Sequence, residues 1–149
     1  MTCINAKSYL LQYRRALERI RQIEDHMSRL YLQAEVQANA PKPDIVRGSG
    51  KKQDRTGDIA VKIAEASARL DLAKADSLRM LEDIASVIDA VSDPIQSRIL
   101  YDRYIANMSW YDIAEDIGYD ATHTRGRLHG AALEAVRKIL EERHVEDRR

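Results

Sequence analysis

Apolar residues in the first third of the chain recur in steps of three and four. From about Ile4 to Asn39 they fall at Leu10, Tyr13, Leu17, Ile20, Met27, Tyr31 and Ala34, and Ile23 and Leu30 widen the stripe. This spacing predicts one face of a long amphipathic helix. Glu24 falls on the stripe, where it is expected to weaken the seam or take an arginine partner. The run NAPKPDIVRGSGKKQDRTGD then breaks the pattern with two prolines and three glycines, which predicts a loop over 40–57. Beyond Asp58, an expected N-cap, Ile59, Ile63, Ala66, Leu70, Ala73, Ser77, Met80, Ile84, Val87 and Val91 repeat in strict four-three alternation, with Leu81 and Ile88 beside them. No Gly or Pro interrupts this series. Two such helices joined by a loop predict an antiparallel, coiled-coil-like hairpin over 1–91, each helix covering the other's stripe. Ala66, Ala73 and Ser77 allow close approach but leave a thin core, to be completed by a third helix or a second copy of the chain.

The last third is punctuated differently. Ser92 or Asp93 can cap a helix with Pro94 in its first turn, where the missing N–H costs nothing. That helix carries Ile95, Ile99, Leu100, Tyr104 and Ile105 and should end near Asn107, a residue that tolerates left-handed backbone. Ser109 is placed to cap the next, short helix, with Asp112 three residues on, as in a capping box. Gly118 should stop it, and Asp120 should cap a final helix running to about Arg143. Helix, helix, tight turn, helix over 92–149 is what a helix-turn-helix module requires. The fold class expected is therefore all-α, a long helical hairpin followed by a three-helix domain.

Within that domain Ala114 supplies the small residue facing the second helix, and Ile117 and Ile113 the apolar contact before the turn. Gly118 supplies the positive φ, and Tyr119 is expected to plug the gap between helices. Leu128, Ala131, Ala135 and Ile139 are expected to face inward. The opposite face then collects Thr122, Arg125, Gly126 and His129. A polar, cationic face notched by glycine fits a major groove. Gly126 otherwise costs about 1 kcal/mol relative to Ala in a helix.

These residues carry a resemblance. GYDATHTRGRLHGAAL resembles region four of bacterial sigma factors, in which a glycine, an apolar residue and a small polar cap precede a helix with an Arg-Leu-His-x-Ala pattern. Here they are Gly118, Tyr119, Asp120, Arg127, Leu128, His129 and Ala131. The upstream ILYDRYIANMSWYDIAEDIGY is similar to phage and prophage regulators of the ArpU and RinA type, through Arg103, Tyr104, Ile105, Ser109, Trp110, Ile113 and Ala114. The general plan of that group, a helical N-terminal half and a basic loop before a sigma-like domain, covers nearly the whole chain. The resemblance implies an activator of late phage transcription that binds double-stranded DNA. Two departures are visible: Thr124 stands where sigma-like domains usually place valine, and Asp120 replaces the usual serine cap.

Candidate contacts follow, each beside a plainer role. Arg125 can form a bidentate contact to guanine or belong to a solvated charged face. Thr122 and His123 can meet phosphate at the helix start or act only in capping. Arg127 can reach phosphate, although an internal pair with Glu115 or Asp112 is preferred. Trp110 is read as packing. Ser109 and Tyr111 are weak phosphate candidates on a helix whose Asp112, Glu115 and Asp116 repel DNA. Arg47, Lys51, Lys52 and Arg55 make the 40–57 loop basic, suited to gripping phosphate or to serving as a solvated linker. That loop is not a Walker loop: Ile45 and Val46 stand near the place of its first glycine, Ser or Thr is missing after Lys51, and a helix leads in.

Composition limits the remaining classes. The 149 residues hold 24 Lys and Arg against 24 Asp and Glu, a net charge of zero that argues against unspecific nucleic-acid coating. Cys3 is the only cysteine, which excludes an intramolecular disulfide. No apolar run approaches the roughly 20 residues of a membrane span, so no membrane role and a cytoplasmic location are expected. His26, His123, His129 and His144 lack metal-ligand spacing, and no nucleophile, base and orienting acid come together, so neither an enzyme nor a cofactor is expected. The expected partners are double-stranded DNA, bacterial RNA polymerase, or a second copy through the hairpin. Two other readings stay open: a small terminase-like DNA-packaging component, and a helical adaptor that does not bind DNA.

Overall fold

The computed structural model describes residues 5–41 and 55–149, with side chains from Gly57 onward in the second stretch. Among the described residues all regular structure is helical. The elements are α1 (Ala6–Ala38), α2 (Arg55–Asp89), α3 (Pro94–Leu100), α4 (Trp110–Ile117), α5 (Ala121–His123) and α6 (His129–Glu146). One π turn, Tyr101–Ile105, extends α3, and a second, Thr124–Leu128, joins α5 to α6 without a break. The all-α expectation holds. By backbone contacts the chain divides into two compact units, Met1–Leu17 with Asp76–Arg149, and Glu18–Ala75. The dividing line crosses both long helices.

α1 starts where Asn5 accepts the Ser8 N–H at 3.1 Å, satisfying one of the free donors of the first turn. Its buried seam runs along the residues that widen the expected stripe rather than along the stripe's centre. Ile23 and Leu30 are buried, whereas Leu17, Glu24 and Tyr31 are exposed. A carboxylate in the seam would lose its hydration, so the helix turns Glu24 outward and presents Ile23 instead. In α2 every member of the four-three series is buried or half-buried. The helix starts at Arg55, so Asp58 lies in its first turn rather than at its cap. An acidic residue there still favours the positive end of the helix dipole.

In the Glu18–Ala75 unit, Ile23, Leu30, Ile59, Ala66 and Ala73 are buried. Two of these five are alanines, the thin core that the composition of α2 predicts. Leu32, Val36 and Leu72 stay more than 60% exposed in the same unit.

The other unit is better filled. The first turns of α1 (Ala6, Leu10) pack with the last turns of α2 (Ile84, Val87, Ile88), with Val91, with Leu100 and Tyr104, and with Ala132 and Val136 of α6. Leu10, Val87, Leu100 and Val136 have no exposed surface, and burying each such side chain contributes about 1.5–3 kcal/mol. Polar ties fix the register: the Tyr9 hydroxyl donates to Asp83, and Arg143 donates to Ser86 Oγ at 3.0 Å. Burial and the Asp83 carboxylate together hold the Tyr9 phenol well above its ordinary range. Among the described residues no helix is long and apolar enough to cross a membrane.

Candidate nucleic-acid interface

The scaffold begins at Asp93, whose carboxylate accepts the Ile95 and Gln96 N–H groups at 2.8 and 3.2 Å, with Pro94 in the first turn behind it. The π turn then places Asp102 and Tyr104 both inward, 4% and 3% exposed. A carboxylate so buried needs a partner. Arg98 provides it at 2.9 Å and also reaches Asp116 of α4 at 2.8 Å. One guanidinium thus ties α3 to α4, and the two acids raise its pKa above the ordinary value. Asn107 takes the expected left-handed conformation with φ of 57°. Ser109 caps α4 as expected, accepting the Asp112 N–H at 3.1 Å while its hydroxyl donates to the Asp112 carboxylate at 2.7 Å.

α4 ends at Gly118, whose φ of 75° carries the chain through the turn. Asp120 restarts it by accepting the Thr122 and His123 N–H groups at 3.0 and 3.2 Å. α4 packs against α5 and the second π turn, with Ile113 and Ala114 buried between them. Thr124 is fully buried, and its hydroxyl donates to the Asp120 carbonyl at 2.8 Å. The inner face therefore takes a threonine without stranding a polar atom.

The second π turn changes the expected face. Its widened hydrogen bonding, with the His129 N–H directed at the Thr124 carbonyl, puts Thr124 and His129 on the same side although five residues separate them. In an unbroken α-helix they would lie about 140° apart. His129, expected outside, is therefore buried at 8% exposure, and Ala131, expected inside, is exposed while Ala132 and Val136 are buried. The His129 Nε2 meets the Tyr104 hydroxyl at 2.7 Å, and the indole of Trp110 stands edge-on to the ring at 4.6 Å. Trp110 is a packing residue, as read from the sequence. Burial first, then the charges of Lys7 and Arg103, push His129 down to about 4, although its hydrogen bond to the Arg125 backbone works the other way. The imidazole is neutral near pH 7.

The outer side of the same rod carries Thr122, His123, Arg125, Gly126, Arg127, Gly130 and Ala131, all exposed. A Cβ added at Gly126 or Gly130 would meet nothing within 4 Å, so this side is open. Among the described residues Arg125 and Arg127 have no carboxylate in ion-pair range; Arg127 does not make the expected bond to Glu115 or Asp112. Of the two α4 candidates, Ser109 is engaged with Asp112, and Tyr111 is 70% exposed. Tyr119 does not plug the gap; it is 43% exposed, its ring 6.0 Å from that of His123.

Sequence reasoning did not include Arg14 and Arg103 in this region. Arg14 Nη2 donates to the Arg103 carbonyl at 2.7 Å, and Arg103 Nη1 donates to the Met108 carbonyl at 2.9 Å. The Arg103 guanidinium lies over Trp110, 4.7 Å from the ring centre. Burial and then the charges of Arg14 and Arg125 hold its pKa below the ordinary value. The signal available in the sequence was the seven-residue spacing of Lys7 and Arg14, which puts both on one face of α1.

Of the basic loop, Arg47, Lys51 and Lys52 lie outside the described residues, as does the side chain of Arg55. Among the described residues no three His, Cys, Asp or Glu side chains are grouped to hold a metal ion. Comparison of the chain with protein-family models, curated proteins and solved structures gives no match.

Proposed function

We propose that the chain is a sequence-specific double-stranded DNA-binding regulator, an activator of phage or prophage genes, acting in the cytoplasm of a bacterial host. One observation supports this reading most: a short helix, a glycine turn and a capped second helix present an open outer side. That side carries Thr122, His123, Arg125, Gly126 and Arg127 with no acid and no bulky apolar group. Major-groove readers need such a face, cationic for phosphate and shallow enough for base edges to be reached. His129 is withdrawn from the contact set because its ring is buried and neutral. Arg125 is assigned to base reading, Arg127, Thr122 and His123 to phosphate, and no catalytic step is assigned. The remaining parts of α1 and α2 serve self-association or contact with RNA polymerase.

Selection of bound duplexes from a random pool supplies the test sequence. Arg125→Ala should then weaken binding to the selected duplex by about 1–3 kcal/mol and weaken binding to random duplex less. Equal loss on both makes Arg125 a phosphate contact; no loss removes it from the interface.

A small terminase-like packaging component is the second reading, favoured by the exposed Leu32, Val36 and Leu72, which suit a self-associating helical part. A closed ring in electron microscopy supports it. Activation of a reporter from a promoter carrying the selected sequence supports the regulator.

A further inference from the structure

Some arginines of this chain are neutralised by acids and others are not. Arg21, Arg29, Arg79, Arg98 and Arg137 all pair with carboxylates. Arg14 and Arg103 donate instead to main-chain carbonyls, at 2.7 and 2.9 Å. A carbonyl orients a guanidinium without cancelling its charge. The chain of contacts from Arg14 to the Arg103 carbonyl, from Arg103 to Trp110 and from Trp110 to His129 ends one turn after Arg125. Lys7 lies two turns before Arg14 on the same side of α1, about 10.5 Å along the axis, and is exposed. Among the described residues none of Lys7, Arg14, Arg103 and Arg125 has a carboxylate in ion-pair range. Four like charges gathered without acids repel one another, and an external polyanion relieves that repulsion.

We infer that Lys7, Arg14 and Arg103 continue the basic surface of Arg125 into one band that grips the sugar-phosphate backbone of duplex DNA, so that the start of α1 belongs to the DNA interface. This rests on the DNA-binding reading above. The electrostatics agree: the charges of Arg14 and Arg125 both act on Arg103, and those of Lys7 and Arg103 both act on His129. The band carries affinity and orientation, while Arg125 alone among the four is placed to read a base. Arg103 also covers Trp110, so its replacement would disturb packing; Lys7 and Arg14 are the clean probes.

The test compares the full-length wild type, Lys7→Gln with Arg14→Gln, and Arg14→Lys on the selected duplex and on a mixed-sequence duplex over a range of salt. Thermal unfolding of each protein verifies that it is folded. The double variant should lose affinity by the same factor on both duplexes, and the slope of log K against log salt should fall by about one for each lost contact. Arg14→Lys should keep the wild-type slope. A wild type that binds with an unchanged slope in the double variant overturns the band and leaves the DNA-binding reading standing. A loss confined to the selected duplex also overturns it, because the residues would then read bases. A wild type that retains neither duplex, or retains only an acidic polypeptide, overturns both.

Discussion

Acid should loosen this fold through one imidazole. His129 is 8% exposed and its pKa is pushed down to about 4 from 6.5, by burial first and by Lys7 and Arg103 after it. The unfolded chain therefore binds a proton more readily than the folded one between these two values. Stability must rise with pH across that window and fall as pH drops through it. The contribution is fully present above 6.5. It has shrunk by about 1 kcal/mol near pH 5.5 and by about 2–3 kcal/mol near pH 4.5, close to its ceiling of about 3 kcal/mol. Against a typical stability of about 5–15 kcal/mol, this is a visible share.

The assay is urea unfolding at about pH 7.5 and pH 4.5 for the wild type and for His129→Gln, which keeps a neutral hydrogen-bonding side chain beside Tyr104. All other ionisable groups are common to the two proteins, so the difference between the two losses isolates His129. The wild type should lose about 2–3 kcal/mol more than the variant over this range. Equal losses would show that the ring is not held neutral by its site, and the burial argument that removes it from the DNA face would go with it.

The Arg98 link should be asymmetric. Arg98→Ala strands the buried Asp102 carboxylate, whereas Asp102→Asn leaves an exposed guanidinium that still reaches Asp116, so the arginine replacement should be the more destabilising of the two; denaturant midpoints showing the reverse order would refute this. Gly118→Ala forces an L side chain into φ of 75° and should cost about 1–2 kcal/mol. Gly126→Ala meets open space and should stabilise the rod by about 0.5–1 kcal/mol while weakening DNA binding, and unimpaired binding would mean that no groove wall approaches it. In the core, Leu10→Ala should cost about 2–5 kcal/mol, and Leu72→Ala, 66% exposed, should stay within about 0.5 kcal/mol.

The helices and their ends were legible because each is fixed by a local device. Asp93 with Pro94, Ser109 with Asp112, Gly118, Asp120 and the left-handed Asn107 all act within a few residues of themselves, and all stand where the pattern puts them. The series in α2 was legible because a strict four-three repeat admits one seam only. What failed was phase. In α1, two overlapping stripes were available, and the choice between Glu24 and Ile23 is made by tertiary desolvation, not by spacing. In the last helix, a 3.6-residue period extended from Leu128 misplaces Ala131 and His129, because a π turn adds a residue to one turn and rotates everything after it. Nothing local announces that turn. It is held by partners distant in sequence, above all the Tyr104 hydroxyl on His129.

The same wide turns bear on electrostatics. Each sets a polar side chain inward, Asp102 and Tyr104 at the first and Thr124 and His129 at the second, and each of these finds a partner inside. The acids nearby are similarly occupied: Asp93 and Asp120 cap helices, Asp112 accepts from Ser109, and Asp116 holds Arg98. Only Asp102 and Asp116 meet a cation, Arg98; the capping acids keep their charge, while Arg125 and Arg127 stand without a carboxylate partner. A net charge of zero counts both populations equally and so hides their separation. A chain can be neutral in sum and still present one cationic face, provided part of its acids are paired with its own cations and the unpaired cations are collected together. For this chain the sum is therefore a poor guide to partners, and the pairing of individual charges is a better one.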